Sequence, residues 1–147
     1  MTVHQGAYTI STEKERLNIP YIHSFLSNDS YWAKNIPMET VEKSIAGSLC
    51  FGVYEGDKQV GFARVITDLA TVGYLGDVFI DEAYRGRGLS KWLVATIVSH
   101  PDLQGLRRFL LATRDAHGLY AQYGFTALTF ADRWMHIHRP DLYTQAR

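Results

Sequence analysis

The apolar positions along the chain change their period several times, and each change marks an element. Residues 8–10 (Tyr8, Thr9, Ile10) are aromatic or β-branched and predict a short first strand. Ser11-Thr12-x-x-Glu15 follows as a capping pattern with Thr12 as the cap. A helix is predicted over 18–26, because Ile19, Ile22, Phe25 and Leu26 share one side; Ser27-Asn28-Asp29-Ser30 breaks it. Pro37 opens a second helix, with Val41 and Ile45 on one face and Gly47 at its end.

The period then drops to two. Residues 49–54 and 59–66 flank the polar turn Glu55-Gly56-Asp57-Lys58 as a hairpin. The turn Thr67-Asp68-Leu69-Ala70 leads into a third strand over 72–80, which completes an antiparallel meander. A helix over 89–99 carries Leu89, Leu93 and Ile97 on one line and stops at His100-Pro101, where proline cannot continue it. Residues 107–113 form a further strand, parallel to 72–80 because a helix connects them. Asp115 then caps a short helix to Tyr123, and strands at 126–130 and 134–138 close the sheet. The expected fold is α/β: one domain over 1–147, with a mixed, twisted sheet of six or seven strands and helices on both faces.

Composition narrows the function classes. Of 147 residues, 46% are hydrophobic and 20% charged, which is globular composition. Fifteen basic residues balance fifteen acidic ones, so no long-range field favours nucleic acid or an anionic membrane. Cys50 is the single cysteine and lies in an apolar run, so it reads as a buried thiol, and no disulfide within the chain can form. The N-terminus has neither a basic start nor an apolar run, and no segment nears eighteen apolar residues. A cytoplasmic protein is expected. His136 and His138 share a strand face but lack a third ligand, so no metal site is expected.

Charge concentrates locally in Tyr84-Arg85-Gly86-Arg87-Gly88-Leu89-Ser90-Lys91, between the strand at 72–80 and the next helix. Gly86 and Gly88 let a ligand approach the backbone, and the helix start with Arg85, Arg87 and Lys91 favours an anion such as a pyrophosphate. Two nucleotide loops fit poorly. A P-loop needs Gly-Lys-Ser/Thr, whereas Ser90 precedes Lys91; a Rossmann turn needs a third glycine where Lys91 stands.

Arg85-Gly86-Arg87-Gly88-Leu89-Ser90 resembles the acetyl-coenzyme A loop of the GCN5-related N-acetyltransferase (GNAT) family, Arg/Gln-x-x-Gly-x-Gly/Ala, with Ser90 in the last, small position. Leu119-Tyr120-Ala121-Gln122-Tyr123-Gly124-Phe125 is similar to that family's Leu-Tyr-x-x-x-Gly-Phe segment. Together they cover roughly residues 48 to 138. The resemblance implies acetyl transfer from acetyl-coenzyme A to a primary amine of a small molecule or peptide. It places the diphosphate on Arg85, Gly86, Arg87, Gly88, Leu89, Ser90 and Lys91, and the pantetheine arm along Val78, Phe79 and Ile80. It makes Tyr120 the acid that protonates the leaving thiolate, with Tyr123 the competing phenol. Asp77 is the candidate base, with Asp115 and His117 as further options. Tyr31, Trp32, Arg64 and Asp68 are candidate acceptor contacts, Tyr31 and Trp32 because the family's connection there overhangs the acceptor pocket. One departure is Thr113, where many members carry asparagine. The other class of function on this fold is a non-catalytic acyl-coenzyme A sensor or an interaction module that holds a partner, neither of which needs a thiolate acid. Late aromatics, Trp134 and Tyr143, and a C-terminal strand at a sheet edge add the expectation of a homodimer.

Overall fold

A computed structural model describes residues 1–144. The chain forms a six-stranded sheet in sequential order: β1 (Thr2–Gln5), β2 (Tyr8–Ser11), β3 (Leu49–Glu55), β4 (Lys58–Thr67), β5 (Val72–Ile80) and β6 (Arg108–Leu111). Strands β1 to β5 pair antiparallel, and β6 pairs parallel to β5. The helices are α1 (Ile19–Ser24), α2 (Met38–Ala46), α3 (Leu89–Val98) and α4 (His117–Ala121).

Alternation along the strands splits the core in two. Phe51, Ala63, Val65, Leu75 and Ile80 face α3, whose Leu89, Leu93, Val94 and Ile97 are buried, and Tyr120 of α4 joins them. Cys50, Phe62 and Phe79 face the other way, onto Ile22 of α1, the neighbouring Leu26, and Val41 and Ile45 of α2. Helices therefore cover both faces. Each fully buried leucine or phenylalanine contributes about 1.5–3 kcal/mol, and these two layers clamp the meander from both sides.

Four local expectations are corrected. The first strand has an N-terminal partner, β1, paired from Thr2↔Ser11 to Gln5↔Tyr8. Thr12 does not cap a helix: its hydroxyl accepts from the Met1 ammonium and donates to the Met1 carbonyl, tying off that hairpin. Asn18 caps α1 instead, its side chain accepting from the Tyr21 amide at 3.1 Å. Asp115 does not cap α4; the Thr113 hydroxyl accepts from the Ala116 amide at 3.1 Å. Residues 126–130 and 134–138 form no strand, because Phe130 adopts a left-handed φ of 57° and Ala131–Arg133 coil into a 3-10 turn.

Two irregularities shape the site. Pairing between β5 and β6 runs only from Val72↔Arg108 to Leu75↔Leu111, so from Gly76 β5 continues with β4 but without β6, and the sheet opens there. Across β4 and β5 the register slips between Phe62↔Phe79 and Arg64↔Gly76, a bulge that places Asp77 at φ 54°. Left-handed backbone costs a non-glycine residue about 1–2 kcal/mol, although aspartate tolerates it better than most. The cost is offset by charge-assisted hydrogen bonds, worth about 1.5–3 kcal/mol each, that Asp77 makes from that position.

Candidate active site

The opening between β5 and β6 is a cavity of about 670 Å³ lined by Tyr31, Trp32, Arg64, Tyr74, Asp77, Val78, Arg114, Asp115, Tyr120 and His138, among others. Asp77 organises one wall. Its Oδ2 accepts from Arg64 Nε at 2.6 Å and its Oδ1 from Trp32 Nε1 at 2.7 Å. Arg64 also donates to the Ser48 hydroxyl at 3.0 Å, so the guanidinium is fixed from two sides. The ion pair is well shielded, with side-chain exposures of 18% for Arg64 and 10% for Asp77.

Tyr31 ties the same connection to the opposite wall. Its hydroxyl accepts from the Arg114 amide at 3.1 Å, and the Arg114 guanidinium lies 3.9 Å over its ring. Trp32 packs edge-on against Tyr31 at 5.0 Å. Residues 31 and 32 thus bridge the two strands that have parted, one residue to each side.

Tyr120 stands where the walls meet. It is 8% exposed and lines both this cavity and a larger groove along β6. Its ring is packed edge-on against Phe125 at 5.9 Å. Its hydroxyl has no hydrogen-bond partner among the described residues. Burial pushes its pKa up from 10.0, with the nearby Tyr31 adding to the shift, so the phenol holds its proton. Tyr123 lines only the β6 groove, as does His117. Asp115 does line the cavity.

Beyond Ile80 the chain makes a short 3-10 turn, capped by Asp81, and enters the glycine loop. Gly86 and Gly88 both have φ 77°, the left-handed backbone that glycine adopts without cost, and a Cβ on either would meet nothing within 4 Å. The amides of Gly86, Arg87, Gly88, Leu89, Ser90 and Lys91 have no acceptor among the described residues. A row of free donors beside an open space at the start of a ten-residue helix fits a diphosphate. The arginines serve the frame: Arg85 Nε donates to the Ile80 carbonyl at 3.1 Å, and Arg87 donates to the Tyr8 hydroxyl at 2.7 Å while lying over the Tyr84 ring. Phe79 and Ile80 are buried, with Phe79 stacked on Phe25 at 3.8 Å, and Val78 lines the cavity.

One candidate lies elsewhere. Asp68 accepts at Oδ1 from the amides of Ala70, Thr71 and Val72 and at Oδ2 from the Thr71 hydroxyl. These bonds depress its pKa well below the usual carboxylate range and commit it to the β4–β5 turn, outside the cavity. Tyr74, Arg114 and His138 line the cavity without having been singled out as acceptor contacts. Tyr74 was findable, since it shares a strand face with Gly76 at the point of opening. His136 and His138 have ring centroids 5.6 Å apart, and no group of three metal-ligating side chains occurs among the described residues.

A sheet that opens after a parallel pair, a donor-rich glycine loop that follows the opened strand and a buried phenol lining the opening define an acyltransferase. The family model of the acetyltransferase (GNAT) family matches residues 19–125. A candidate acetyltransferase of Gibberella zeae, FG08082, is 32% identical over 140 residues, covering 80% of this chain and 78% of that one. The crystal structure of a candidate GNAT acetyltransferase from Xanthomonas campestris pv. campestris is 53% identical, covers 94% of this chain and 97% of that chain, and superposes with a TM-score of 0.92. A candidate acetyltransferase from Clostridium acetobutylicum, in a structure with acetyl-CoA, shares the fold at a TM-score of 0.65 and 15% identity, with 94% of this chain and 96% of that one covered. The chain belongs to the GNAT acetyltransferase family. No helix among the described residues is long and apolar enough to cross a membrane.

Proposed function

We propose that this protein moves the acetyl group of acetyl-coenzyme A to a primary amine of a small molecule or peptide, by direct attack on the thioester. The observation that carries the reading is Tyr120, a buried ring whose unpartnered hydroxyl reaches the β5–β6 opening. Bound acetyl-coenzyme A supplies an activated acyl group. The amides of residues 86–91 hold its diphosphate, and Val78, Phe79 and Ile80 offer the main-chain edge that β6 leaves free.

An amine of pKa about 10.4 is protonated at pH 7, and freeing its lone pair costs roughly 4.6 kcal/mol at 1.36 kcal/mol per pH unit. Asp77 meets part of that demand. A carboxylate has about four acceptor positions, and Arg64 and Trp32 fill two, so Asp77 can still receive the acceptor's N–H and draw its proton away. The nitrogen forms a bond to the acyl carbon as the carbon–sulfur bond breaks. Tyr120 gives its proton to the departing sulfur and regains one through the opening. Tyr31, Trp32 and Tyr74 present aromatic surface to the acceptor amine's carbon frame.

The test is release of coenzyme A thiol against a panel of amines, with wild type and Tyr120→Phe side by side. Amine-dependent release that Tyr120→Phe loses supports the proposal. Binding of acetyl-coenzyme A without turnover on any amine would make the protein a sensor.

A further inference from the structure

The loop between β6 and α4 brings two adjacent charged residues, Arg114 and Asp115, onto the cavity at the β5–β6 opening. Its backbone is held at two points: the Arg114 amide donates to the Tyr31 hydroxyl, and the Ala116 amide to the Thr113 hydroxyl. Both charged side chains are exposed. The Arg114 guanidinium lies 3.9 Å over the Tyr31 ring and has no hydrogen-bond or ionic partner among the described residues. That contact leaves it N–H donors in the fork geometry that suits a carboxylate. The Asp115 carboxylate has no partner among the described residues either, and the two do not pair with each other. The other groups on this cavity that carry or can take up charge are the Arg64–Asp77 pair, already bonded to each other, His138 and the phenols of Tyr31, Tyr74 and Tyr120.

Two aromatic rings lie between Arg114 and Asp77. Tyr31 carries the guanidinium, its ring centroid is 5.0 Å from that of Trp32, and Trp32 Nε1 donates to Asp77 Oδ1 at 2.7 Å. Tyr74 adds a third aromatic surface where the sheet opens, since its ring lies 3.4 Å from where a Cβ on Gly76 would stand. An acceptor that reaches Asp77 with its amine and Arg114 with an acid therefore needs a stem of several bonds between the two groups. The stem runs past aromatic surface, which suits methylenes. An α-amine is one carbon away from its own carboxylate and cannot span the two rings.

We propose that the acceptor is an α,ω-diamino acid acetylated on its ω-nitrogen: Arg114 takes the carboxylate, Asp115 takes the α-ammonium, and the stem delivers the second amine to Asp77. This rests on the acetyl-transfer reading above and adds the substrate class to it. The adjacent residues match the head group charge for charge. A head with only an acid would set its anion beside Asp115, and a head with only an amine would set its cation beside Arg114, so each residue selects against half of the alternatives.

The experiment measures kcat/KM by thiol release from acetyl-coenzyme A for lysine, ornithine, cadaverine (lysine without its carboxylate) and ε-aminocaproate (lysine without its α-ammonium). It compares wild type, Arg114→Gln and Asp115→Asn, and mass spectrometry locates the acetyl group. Wild type should prefer lysine or ornithine to both truncated amines by about ten- to a hundred-fold, mostly through KM, with the acetyl group on the ω-nitrogen. Arg114→Gln should bring the preference over cadaverine close to one, and Asp115→Asn the preference over ε-aminocaproate. Each variant is read as a ratio of two substrates on the same protein, so a general loss of activity cancels. Wild type that uses cadaverine or ε-aminocaproate as well as lysine would overturn the inference and leave acetyl transfer to amines standing. So would ratios unchanged in both variants, acetylation of the α-nitrogen, or turnover confined to amines without an acid. Turnover on no amine at all would remove the acetyl-transfer reading and this inference with it.

Discussion

Tyr120 is where a single atom decides the account. Tyr120→Phe keeps the packing on Phe125 and removes only the hydroxyl, so the fold and the affinity for acetyl-coenzyme A should survive while kcat falls by about 10²–10⁴, roughly 3–5 kcal/mol of barrier. Tyr123→Phe, at the β6 groove, should leave kcat within a few-fold. Because burial raises the Tyr120 pKa, the proton it donates is retained above pH 10, and the alkaline fall in kcat should come later than for a free phenol. A fall centred below pH 10 would contradict that role. Asp77 holds a left-handed position and two hydrogen bonds, so its variants separate two effects. Asp77→Asn keeps an acceptor for Trp32 and tolerates positive φ; Asp77→Ala does neither and strands the shielded Arg64 charge. Chemical denaturation should show a loss of about 3 kcal/mol for alanine and less for asparagine. Cys50 is 1% exposed and burial lifts its thiol to about 11, so it should react with a disulfide reagent at pH 8 only after unfolding. The linkage runs in the usual direction for a raised thiol: its contribution to stability is complete below about pH 9 and is lost as pH rises through about 11.

At the scale of elements, the glycine loop makes a separable claim. Gly88→Ala and Gly88→Glu strain the same left-handed backbone, and neither Cβ meets a neighbour, so the two differ in bulk and in a carboxylate placed among the free amides. Thermal shift should show that coenzyme A still stabilises the alanine variant and no longer stabilises the glutamate one. Equal responses would mean that the amides of residues 86–91 do not hold the diphosphate. Strands β3, β4, β5 and β6 and helices α2 and α3 were legible in the sequence from their apolar runs and periods, helped by Gly56 between β3 and β4, Pro37 and Gly47 around α2, and Gly88 before α3. The capping pattern at Thr12 failed because a tertiary contact with Met1 claimed the hydroxyl before any helix could. Asp68 failed as a site residue for a similar reason: its own turn offers it four donors, and from the sequence a turn aspartate and a pocket aspartate look alike. The Asp77 bulge was not legible either, since nothing in Leu75-Gly76-Asp77-Val78 says that the register slips after Gly76.

At the scale of the whole molecule, the sheet's departure from regularity is what makes a site. Strands β5 and β6 part after four residue pairs, β5 leads on through a short turn to the free amides at the start of α3, and Tyr31 and Trp32 span the gap. The pattern at 126–138 read as strands because its alternation is strand-like. The turn at Phe130 and the lack of any cis partner could be seen only once the chain was folded. The central claim is that this gap transfers acetyl groups to amines through Tyr120. It is tested most directly by following thiol release from acetyl-coenzyme A with an amine panel, with mass spectrometry of the amine. The account predicts release that depends on the amine, an acetylated amine in equal amount, and loss of both in Tyr120→Phe. Thiol release unchanged by Tyr120→Phe on an amine that does become acetylated would contradict it.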